Sequence, residues 1–287
     1  MKNIAVIGAR GVVGQTMLKV LEEQKVKGNI TQWSTQHVDG MIELTEENII
    51  KHKPDFALFA TDSSVSGEFA PIVVKHGGRV IDASSFFRTD PNIPIVIPEV
   101  NPEAIANNPI VSKPNCTTIQ ALVALKPLHD AFGIKTLIFS SYQAVSGAGV
   151  KGIEELETKG RIYNNLVPYI AGEEEKMVFE TKKILKTEDI KISATCVRVP
   201  IVNGHSLAVT ATFEKPITVE SATKILEKAP GVILSELPMP KEIDGRDEVY
   251  VGRIRTDENG FHMFVVADNV RKGAATNAIQ ILKEMLK

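Results

Sequence analysis

Residues 112–118 read Ser-Lys-Pro-Asn-Cys-Thr-Thr and place a lone thiol where a loop is expected to become a helix. Pro114 favours extended backbone before it, and either of the two threonines could cap a helix over 119–132. Cys116 would then lie at the N-terminus of that helix, where unpaired N–H groups and the helix dipole favour a thiolate and could bind an oxyanion. The pattern predicts a cysteine nucleophile, with a small buried apolar cysteine as the alternative.

A glycine-rich loop near the amino end predicts a dinucleotide site. An apolar run of strand length precedes the loop, and apolar residues at helical spacing follow it. The glycines are spaced GxxGxxG rather than GxGxxG, and each removes a Cβ where backbone must approach a pyrophosphate or where a helix must pack on a strand. A flexible turn is the alternative. The candidate cofactor-binding residues of this loop are Gly8, Arg10, Gly11, Val12, Val13 and Gly14.

The elements around these two loops fall into two patterns. Strand and helix patterns alternate through residues 1–117, which predicts a Rossmann-like, doubly wound parallel sheet in a dinucleotide-binding domain. The alternation is irregular over 118–269, which predicts a second, α+β domain with a mostly antiparallel sheet. A last helix within 270–287 is expected to pack back on the first domain.

Composition excludes several classes of protein. Of the 287 residues, 43% are hydrophobic and 24% charged, and the net charge is -2, so neither disorder nor nucleic-acid binding is expected. No signal-peptide core follows the start, and no apolar run approaches the roughly 20 residues of a membrane span, so we expect a cytoplasmic protein without a membrane partner. The two cysteines, Cys116 and Cys196, lack CxxC spacing, so no disulfide or metal site is predicted.

Six segments resemble one enzyme family. They begin at Asp82 (Asp-Ala-Ser-Ser-Phe-Phe-Arg), Ile97 (Ile-Pro-Glu-Val-Asn-Pro-Glu), Pro114 (Pro-Asn-Cys-Thr-Thr-Ile-Gln), Tyr142 (Tyr-Gln-Ala-Val-Ser-Gly-Ala-Gly), Arg198 (Arg-Val-Pro-Ile-Val-Asn-Gly-His-Ser) and Asp268 (Asp-Asn-Val-Arg-Lys-Gly). In this order they resemble the aspartate-semialdehyde dehydrogenases over nearly the whole chain. The resemblance implies NADPH-dependent reductive dephosphorylation of L-4-aspartyl phosphate to L-aspartate 4-semialdehyde and phosphate, in the biosynthesis of lysine, threonine, methionine and isoleucine.

The resemblance also implies roles for single residues. Cys116 would form a thioester, because a thiolate attacks an activated acyl phosphate and leaves a reducible acyl group. His205 would be the acid/base, and Gln143 would orient the substrate. Arg198 would hold the substrate carboxylate through its planar guanidinium, and Glu173 would meet the amino group.

Further residues are implied for phosphate and cofactor. The phosphate-binding residues would be Arg88, Asn115 and Lys176. The residues along the nicotinamide arm would be Ser146, Gly147 and Asn269. Taken alone, the run of three glutamates and a lysine over 173–176 is also typical of a solvated charged face.

Asn203-Gly204 is a hairpin signal and predicts that Val202 pairs with His205. Because side chains alternate along a strand, Arg198 and His205 would then share a face. The expected hairpin would thus bring the carboxylate anchor and the acid/base to one side of a sheet.

The chain departs from the family pattern in two respects. The segments at 160–168 and before 237 are short, and both lie in the second domain, where the family also builds its dimer contact; a homodimer or a dimer of dimers is implied. After the second strand the usual basic element that reads a 2′-phosphate is missing, but Arg10 could reach it. Since no Asp or Glu occurs between Gly28 and Val38, NADP is expected, with NAD as the alternative.

Three other functions fit part of the pattern. N-acetylglutamyl-phosphate reductase uses the same thiol and nicotinamide chemistry, although the residues around its nucleophile usually differ. A non-catalytic paralogue could keep the fold as a binding scaffold, but the intact candidate residues argue against it. A thiol hydrolase would not need the dinucleotide loop.

Overall fold

The computed structural model describes residues 1–287 and divides them into two compact units. The first unit comprises Met1–Pro114 and Ala274–Lys287, and the second comprises Asn115–Gly273. The division falls before Cys116, whereas the boundary predicted from sequence follows residue 117. The cysteine and the helix that it begins therefore belong to the second unit.

The first unit is an all-parallel sheet with helices. Its elements are β1 (Asn3–Ile7), α1 (Val12–Glu23), β2 (Asn29–Ser34), β3 (Ile42–Glu43), α2 (Glu46–His52), β4 (Phe56–Phe59), α3 (Ser63–Lys75), β5 (Arg79–Asp82) and β6 (Ile110–Ser112). The strand order is β3-β2-β1-β4-β5-β6, and every neighbouring pair is parallel. This is the Rossmann order, so the predicted fold class is confirmed.

Alternate residues of β1 explain its unbroken apolar sequence. Ile4 and Val6 pack in a core with α1, while Ala5 and Ile7 pack in a second core with α2 and α3. A parallel strand that is covered on both faces needs apolar side chains at every position. Burial of each large aliphatic side chain contributes about 1.5–3 kcal/mol, so this strand stabilises both layers of the unit.

The second unit carries a mixed sheet. Its elements are α4 (Cys116–Phe132), β7 (Ile134–Gln143), α5 (Gly149–Glu157), α6 (Glu173–Leu185), β8 (Lys191–Arg198), β9 (His205–Phe213), α7 (Val219–Leu226), β10 (Val232–Leu234), β11 (Val249–Asp257) and β12 (Gly260–Ala267). The strand order is β10-β11-β12-β9-β7-β8, parallel at β10–β11 and β7–β8 and antiparallel elsewhere. The α+β prediction is confirmed.

The chain ends in the first unit. A π-helical stretch, Arg271–Thr276, leads into α8 (Asn277–Met285). Ala278, Ile279 and Leu282 are fully buried in the core that contains α1. No helix of the chain combines the length and the apolarity needed to cross a membrane.

The hairpin predicted at Asn203-Gly204 is wrong, because β8 and β9 are not neighbours. β7 lies between them, parallel to β8 and antiparallel to β9. A two-residue type I′ turn needs positive φ at both central residues, but only Gly204 has it, at 90°. The connection over 199–204 instead crosses the end of β7, where the N–H of Val199 donates to the Gln143 carbonyl at 2.9 Å.

The cap predicted for α4 is also wrong. Asn115, rather than a threonine, is the N-cap residue, and its side chain accepts the N–H of Thr117 at 2.9 Å. Thr117 and Thr118 lie inside the first turn, and both are fully buried. The helix therefore begins at Cys116, three residues before the start predicted from the apolar pattern.

The first βα turn depends on two glycines that have no room for a side chain. Gly8 has φ of +82°, and a Cβ there would lie 2.8 Å from Thr61 Cγ2. A Cβ on Gly14 would collide with the Gly8 carbonyl and lie 2.8 Å from Ala9 Cα. Gly11 is different, since a Cβ there would meet only the Gly8 carbonyl oxygen, at an ordinary 3.5 Å.

We expect Gly14→Ser to lower the free energy of unfolding by about 1–3 kcal/mol, because the added atoms meet rigid backbone. Gly11→Ser is the matched control: Gly11 is the extended N-cap of α1, and serine is a preferred residue there. Urea unfolding of both variants measures the difference. Equal destabilisation by the two substitutions would contradict the close packing at Gly14.

Candidate active site

Cys116 is the first residue of α4, and its side chain is partly exposed. Its Sγ lies 4.0 Å from Oδ1 of Asn115, the preceding residue. Gly273 packs directly against Cys116: a Cβ added at position 273 would lie only 2.8 Å from Cys116 Cβ, so a larger residue there would collide with the cysteine. The thiol thus lies at the positive end of the dipole of a 17-residue helix, which favours negative charge.

Asn115 is held at both its backbone and its side chain by α6. Its backbone N–H donates to Glu180 Oε2 at 2.7 Å, and its Nδ2 donates to Glu173 Oε2 at 2.7 Å. These contacts turn Oδ1 toward the N–H of Thr117, which it accepts at 2.9 Å. The residue predicted to bind phosphate is therefore also the joint between α6 and the start of α4.

Glu173 connects several of the predicted residues. Its Oε1 accepts from Lys176 Nζ at 2.9 Å, and its Oε2 lies 3.5 Å from Gln143 Nε2 as well as bonding to Asn115. Burial acts to raise the pKa of this carboxyl, but the lysine and the two amides hold it below its usual value. The alternative prediction that residues 173–176 form a solvated charged face is therefore wrong for Glu173, which is buried and ionised.

The end of β7 brings Arg198 and His205 together from its two sides. Gln143 pairs with Arg198 in the parallel register, while the neighbouring antiparallel pairing leads to His205. Arg198 Nη1 donates to the Ala144 carbonyl at 2.8 Å, and the Ala144 N–H donates to His205 Nδ1 at 3.0 Å. A Cβ on Gly147 would lie 2.6 Å from Arg198 Nη1 and 3.2 Å from His205 Nε2.

His205 is neutral in this environment. Complete burial lowers its pKa to about 3, and the positive charge of Arg198 acts in the same direction. Because Nδ1 accepts a hydrogen bond, the proton of the neutral ring is on Nε2, which is buried without a partner. This arrangement offers a hydrogen-bond donor next to the Gly147 turn.

A second network fixes the turn that follows β7. Asn269 Nδ2 donates to Ser146 Oγ at 2.9 Å, and Asn269 Oδ1 accepts the Gly204 N–H at 3.0 Å. These three residues and Gly147 all lie in the second unit, together with Cys116. The structure therefore brings the residues implied for the nicotinamide arm together around one turn.

The remaining predicted residues lie in the first unit. Arg88 is buried and donates to the carbonyls of Ser84 at 3.0 Å and Ala83 at 3.2 Å. Arg10 is exposed in the loop between β1 and α1. No side chain caps the first turn of α1. Gly8 and Gly14 carry no Cβ, so no side chain at these two positions stands between a ligand and the backbone of this turn. This geometry fits the pyrophosphate of a dinucleotide.

Cys196, unlike Cys116, is a small buried apolar cysteine. It is fully buried in β8, with Sγ 3.8 Å from Met177 Sδ. Burial raises the pKa of its thiol to about 11, and the nearby glutamates act in the same direction. Only Cys116 of the two has the surroundings of a nucleophile.

Sequence reasoning missed two residues that contact the Cys116 segment. Glu180 follows Glu173 by two helical turns, so the spacing placed both on one face of α6 and could have indicated it. Gly273 had no such signal, because only the tertiary structure shows that it packs against Cys116.

Family models match both parts of the chain. Residues 3–108 match the semialdehyde dehydrogenase NAD-binding domain, and residues 125–272 match the semialdehyde dehydrogenase dimerisation domain. The aspartate-semialdehyde dehydrogenase of Aquifex aeolicus is 43% identical, and the alignment covers 99% of this chain and 98% of the relative. The chain belongs to the aspartate-semialdehyde dehydrogenase family. The enzyme of that name from Bacillus subtilis is 39% identical, with 99% of this chain and 97% of the relative covered.

Solved structures of this family have the same fold. Aspartate semialdehyde dehydrogenase II from Vibrio cholerae, complexed with ASA, superposes with a TM-score of 0.94 at 38% identity over 100% of this chain and 98% of that chain. The Candida albicans enzyme with NADP gives a TM-score of 0.82 at 26% identity, over 100% of this chain and 98% of that chain. The Aquifex alignment spans 334 positions, more than the 287 residues here, so this chain lacks internal segments of that relative.

We expect His205 to make stability depend on pH. Because its folded pKa lies far below its unfolded value, the unfolded chain takes up a proton that the folded chain refuses as pH falls below about 6.5. Its contribution to folding is therefore present above that pH and is lost on acidification. Between pH 6 and 5 the loss is about 1 kcal/mol.

Urea unfolding at both pH values, on wild type and His205→Gln, measures this contribution. The variant should lose about 1 kcal/mol less than the wild type over that interval. His37→Gln removes an exposed histidine and serves as the control. Identical losses in wild type and His205→Gln would show that the buried ring is not the source.

Proposed function

We propose that this protein catalyses the reductive dephosphorylation of L-4-aspartyl phosphate to L-aspartate 4-semialdehyde and phosphate, with NADPH. The observation that carries the proposal is the placement of Cys116 at the N-terminus of α4, beside a fixed Asn115. The semialdehyde would then serve the biosynthesis of lysine, threonine, methionine and isoleucine.

Cys116 begins the reaction as the nucleophile. Its thiolate Sγ attacks the acyl carbon, the bond from that carbon to the phosphate oxygen breaks, and phosphate leaves with the electron pair, so a thioester remains. The positive end of the α4 dipole stabilises the negative charge on the carbonyl oxygen during the attack. When bound, NADPH supplies the hydride that reduces this acyl group.

His205 supports the turnover as a hydrogen-bond donor that stabilises a developing oxyanion. Its protonated Nε2 faces the turn that contains Gly147 and can donate to the oxygen that becomes negative during reduction. Because the pKa of this ring is lowered to about 3, the neutral ring is a weak base but a ready hydrogen-bond donor. Because the proton stays on Nε2, the oxyanion of the tetrahedral adduct re-forms the carbonyl directly, and the C–S bond breaks with its electron pair on sulfur, which returns the thiolate and releases the aldehyde.

Charged side chains in the same unit support recognition of an acidic amino acid. Arg198 offers a guanidinium to the α-carboxylate, and the ionised Glu173 offers a carboxylate to the α-ammonium. Gln143, which is buried and 3.5 Å from Glu173, orients the chain between them. Lys176, Asn115 and Arg88 remain the proposed phosphate ligands.

NADP(H) is the proposed dinucleotide, held on the first turn of α1. The residues proposed to hold it are Gly8, Arg10, Gly11, Val12, Val13 and Gly14, with Ser146, Gly147 and Asn269 along the nicotinamide arm. β2 ends at Ser34, so no carboxylate at that position repels a 2′-phosphate. The exposed Arg10 is the proposed reader of that phosphate.

A homodimer is proposed for the second unit. The match to a dimerisation domain over 125–272 supports it, as do apolar side chains exposed on β7, where Ile138 is 52% and Tyr142 40% exposed. Aromatic residues are enriched at protein interfaces. Sedimentation velocity of the whole chain measures the oligomeric state.

The reverse reaction tests the function directly. The wild type should reduce NADP with aspartate semialdehyde only when phosphate is present, and N-acetylglutamate semialdehyde should be a poor substrate. Cys116→Ala should lower kcat by about 10⁴-fold or more, because loss of a nucleophile removes the reaction path. Cys196→Ala should keep most of the activity.

Mass spectrometry of intact protein mixed with aspartyl phosphate, without cofactor, should show an acyl adduct on wild type and on Cys196→Ala but not on Cys116→Ala. An adduct that survives Cys116→Ala would place the nucleophile elsewhere. Turnover of the acetylated semialdehyde in preference to the free one would favour N-acetylglutamyl-phosphate reductase.

Arg10→Thr should lower the NADP/NAD preference by about 10- to 150-fold, because a charge-assisted bond to phosphate contributes about 1.5–3 kcal/mol. Lys19→Thr removes an exposed positive charge further along α1 and is the control. The measurement is kcat/KM for both dinucleotides. A wild type that prefers NAD, or an Arg10 variant with unchanged preference, would exclude this residue as the reader.

A further inference from the structure

Glu180 is a buried carboxyl residue that contacts the residue immediately before Cys116. Its side chain is in α6 and only 1% exposed, and its Oε2 accepts the backbone N–H of Asn115 at 2.7 Å. Burial of a carboxylate is costly unless hydrogen bonds satisfy it. A carboxyl oxygen from another helix therefore satisfies the backbone N–H of the residue that immediately precedes Cys116.

The bond replaces a contact that helices usually make within their own first turn. In a capping box, the third residue of the helix accepts the N–H of the N-cap residue. Thr118 holds that position in α4, but its Oγ1 is buried without a partner. Glu180 supplies the acceptor from another helix, so the start of α4 depends on α6.

Two carboxylates on one face of α6 together fix the orientation of Asn115. Glu173 accepts from the side-chain amide, and Glu180, two turns later, accepts from the backbone N–H. Rotation of Asn115 would break its bond to the Thr117 N–H and displace Oδ1 from Cys116 Sγ. Backbone and side chain must both be held for the first turn of α4 to keep its shape.

We propose that Glu180 is a positioning residue for the Cys116 thiol: it holds the N–H of Asn115 and so keeps the first turn of α4 aimed at the reacting carbonyl. The effect of Glu180 on turnover rests on the proposed function. The effect of Glu180 on the reactivity of the Cys116 thiol is independent of that function and can be measured without substrate.

Charge and position predict opposite effects when Glu180 is replaced. Removal of a negative charge near the thiol would by itself favour the thiolate and speed its alkylation. Loss of the acceptor leaves a buried N–H unsatisfied, which costs about 1–3 kcal/mol and loosens the turn that stabilises the thiolate. Glu180→Gln removes the charge and keeps an acceptor oxygen, whereas Glu180→Met removes both.

The test is the rate at which iodoacetamide alkylates Cys116 at pH 7, followed by peptide mass spectrometry. Glu180→Met should slow alkylation by about 5- to 150-fold, while Glu180→Gln should remain within about 3-fold of wild type. Glu174→Met is the matched control, because Glu174 is also in α6 and accepts a backbone N–H, that of Cys196, at 3.0 Å. It should leave alkylation of Cys116 unchanged.

In the reverse assay, Glu180→Met should lower kcat by a similar factor and leave KM for the semialdehyde within about 3-fold. If this variant does not fold, Glu180→Asp decides, since it keeps the charge but is one methylene too short to reach. The proposal would be overturned if Cys116 were alkylated at the wild-type rate, or faster, in the Glu180→Met or Glu180→Asp variant. Equal slowing by Glu174→Met would also overturn it. Altered alkylation in a protein that is inactive on aspartate semialdehyde would overturn the function alone.

Discussion

The second unit depends on how the first turn of α4 is held, because Cys116, the proposed nucleophile, is the first residue of that helix. Asn115 caps the turn, and two carboxylates of α6 hold its backbone and its side chain. An N-cap is typically worth about 1 kcal/mol, and a hydrogen bond to a charged group about 1.5–3 kcal/mol. Together these contacts fix the backbone at Asn115 and therefore the position of Cys116.

The strand β7 organises the other half of the site. It is parallel to β8 on one side and antiparallel to β9 on the other, so Arg198 and His205 reach its end from opposite directions. The backbone of Ala144 accepts from Arg198 and donates to His205, which sets the orientation of both side chains. Burial and the positive charge of Arg198 keep His205 neutral, whereas Lys176 and two side-chain amides donate to Glu173 and keep that buried carboxyl ionised.

Much of this could be predicted from sequence, because the signals are local. The apolar run of β1, the glycine loop and the helix after it follow from periodicity and from the need for backbone without a Cβ. The helix that starts near Cys116 was expected for the same reason. Residues far apart in the chain, such as Arg198 and Glu173, were selected by their resemblance to a family and could not have been placed by spacing alone.

The sequence by itself determined the βα elements that open the first unit, its Rossmann-like class, and Cys116 as the candidate nucleophile at a helix start. Only the tertiary structure decided the order of strands in the second sheet, which replaced the expected Asn203-Gly204 hairpin with a crossing over β7. It also decided that Asn115 caps α4 and that Glu180 supports it. The physical reason is that periodicity reports burial along one element, whereas strand neighbours and buried hydrogen bonds depend on contacts between residues distant in the chain.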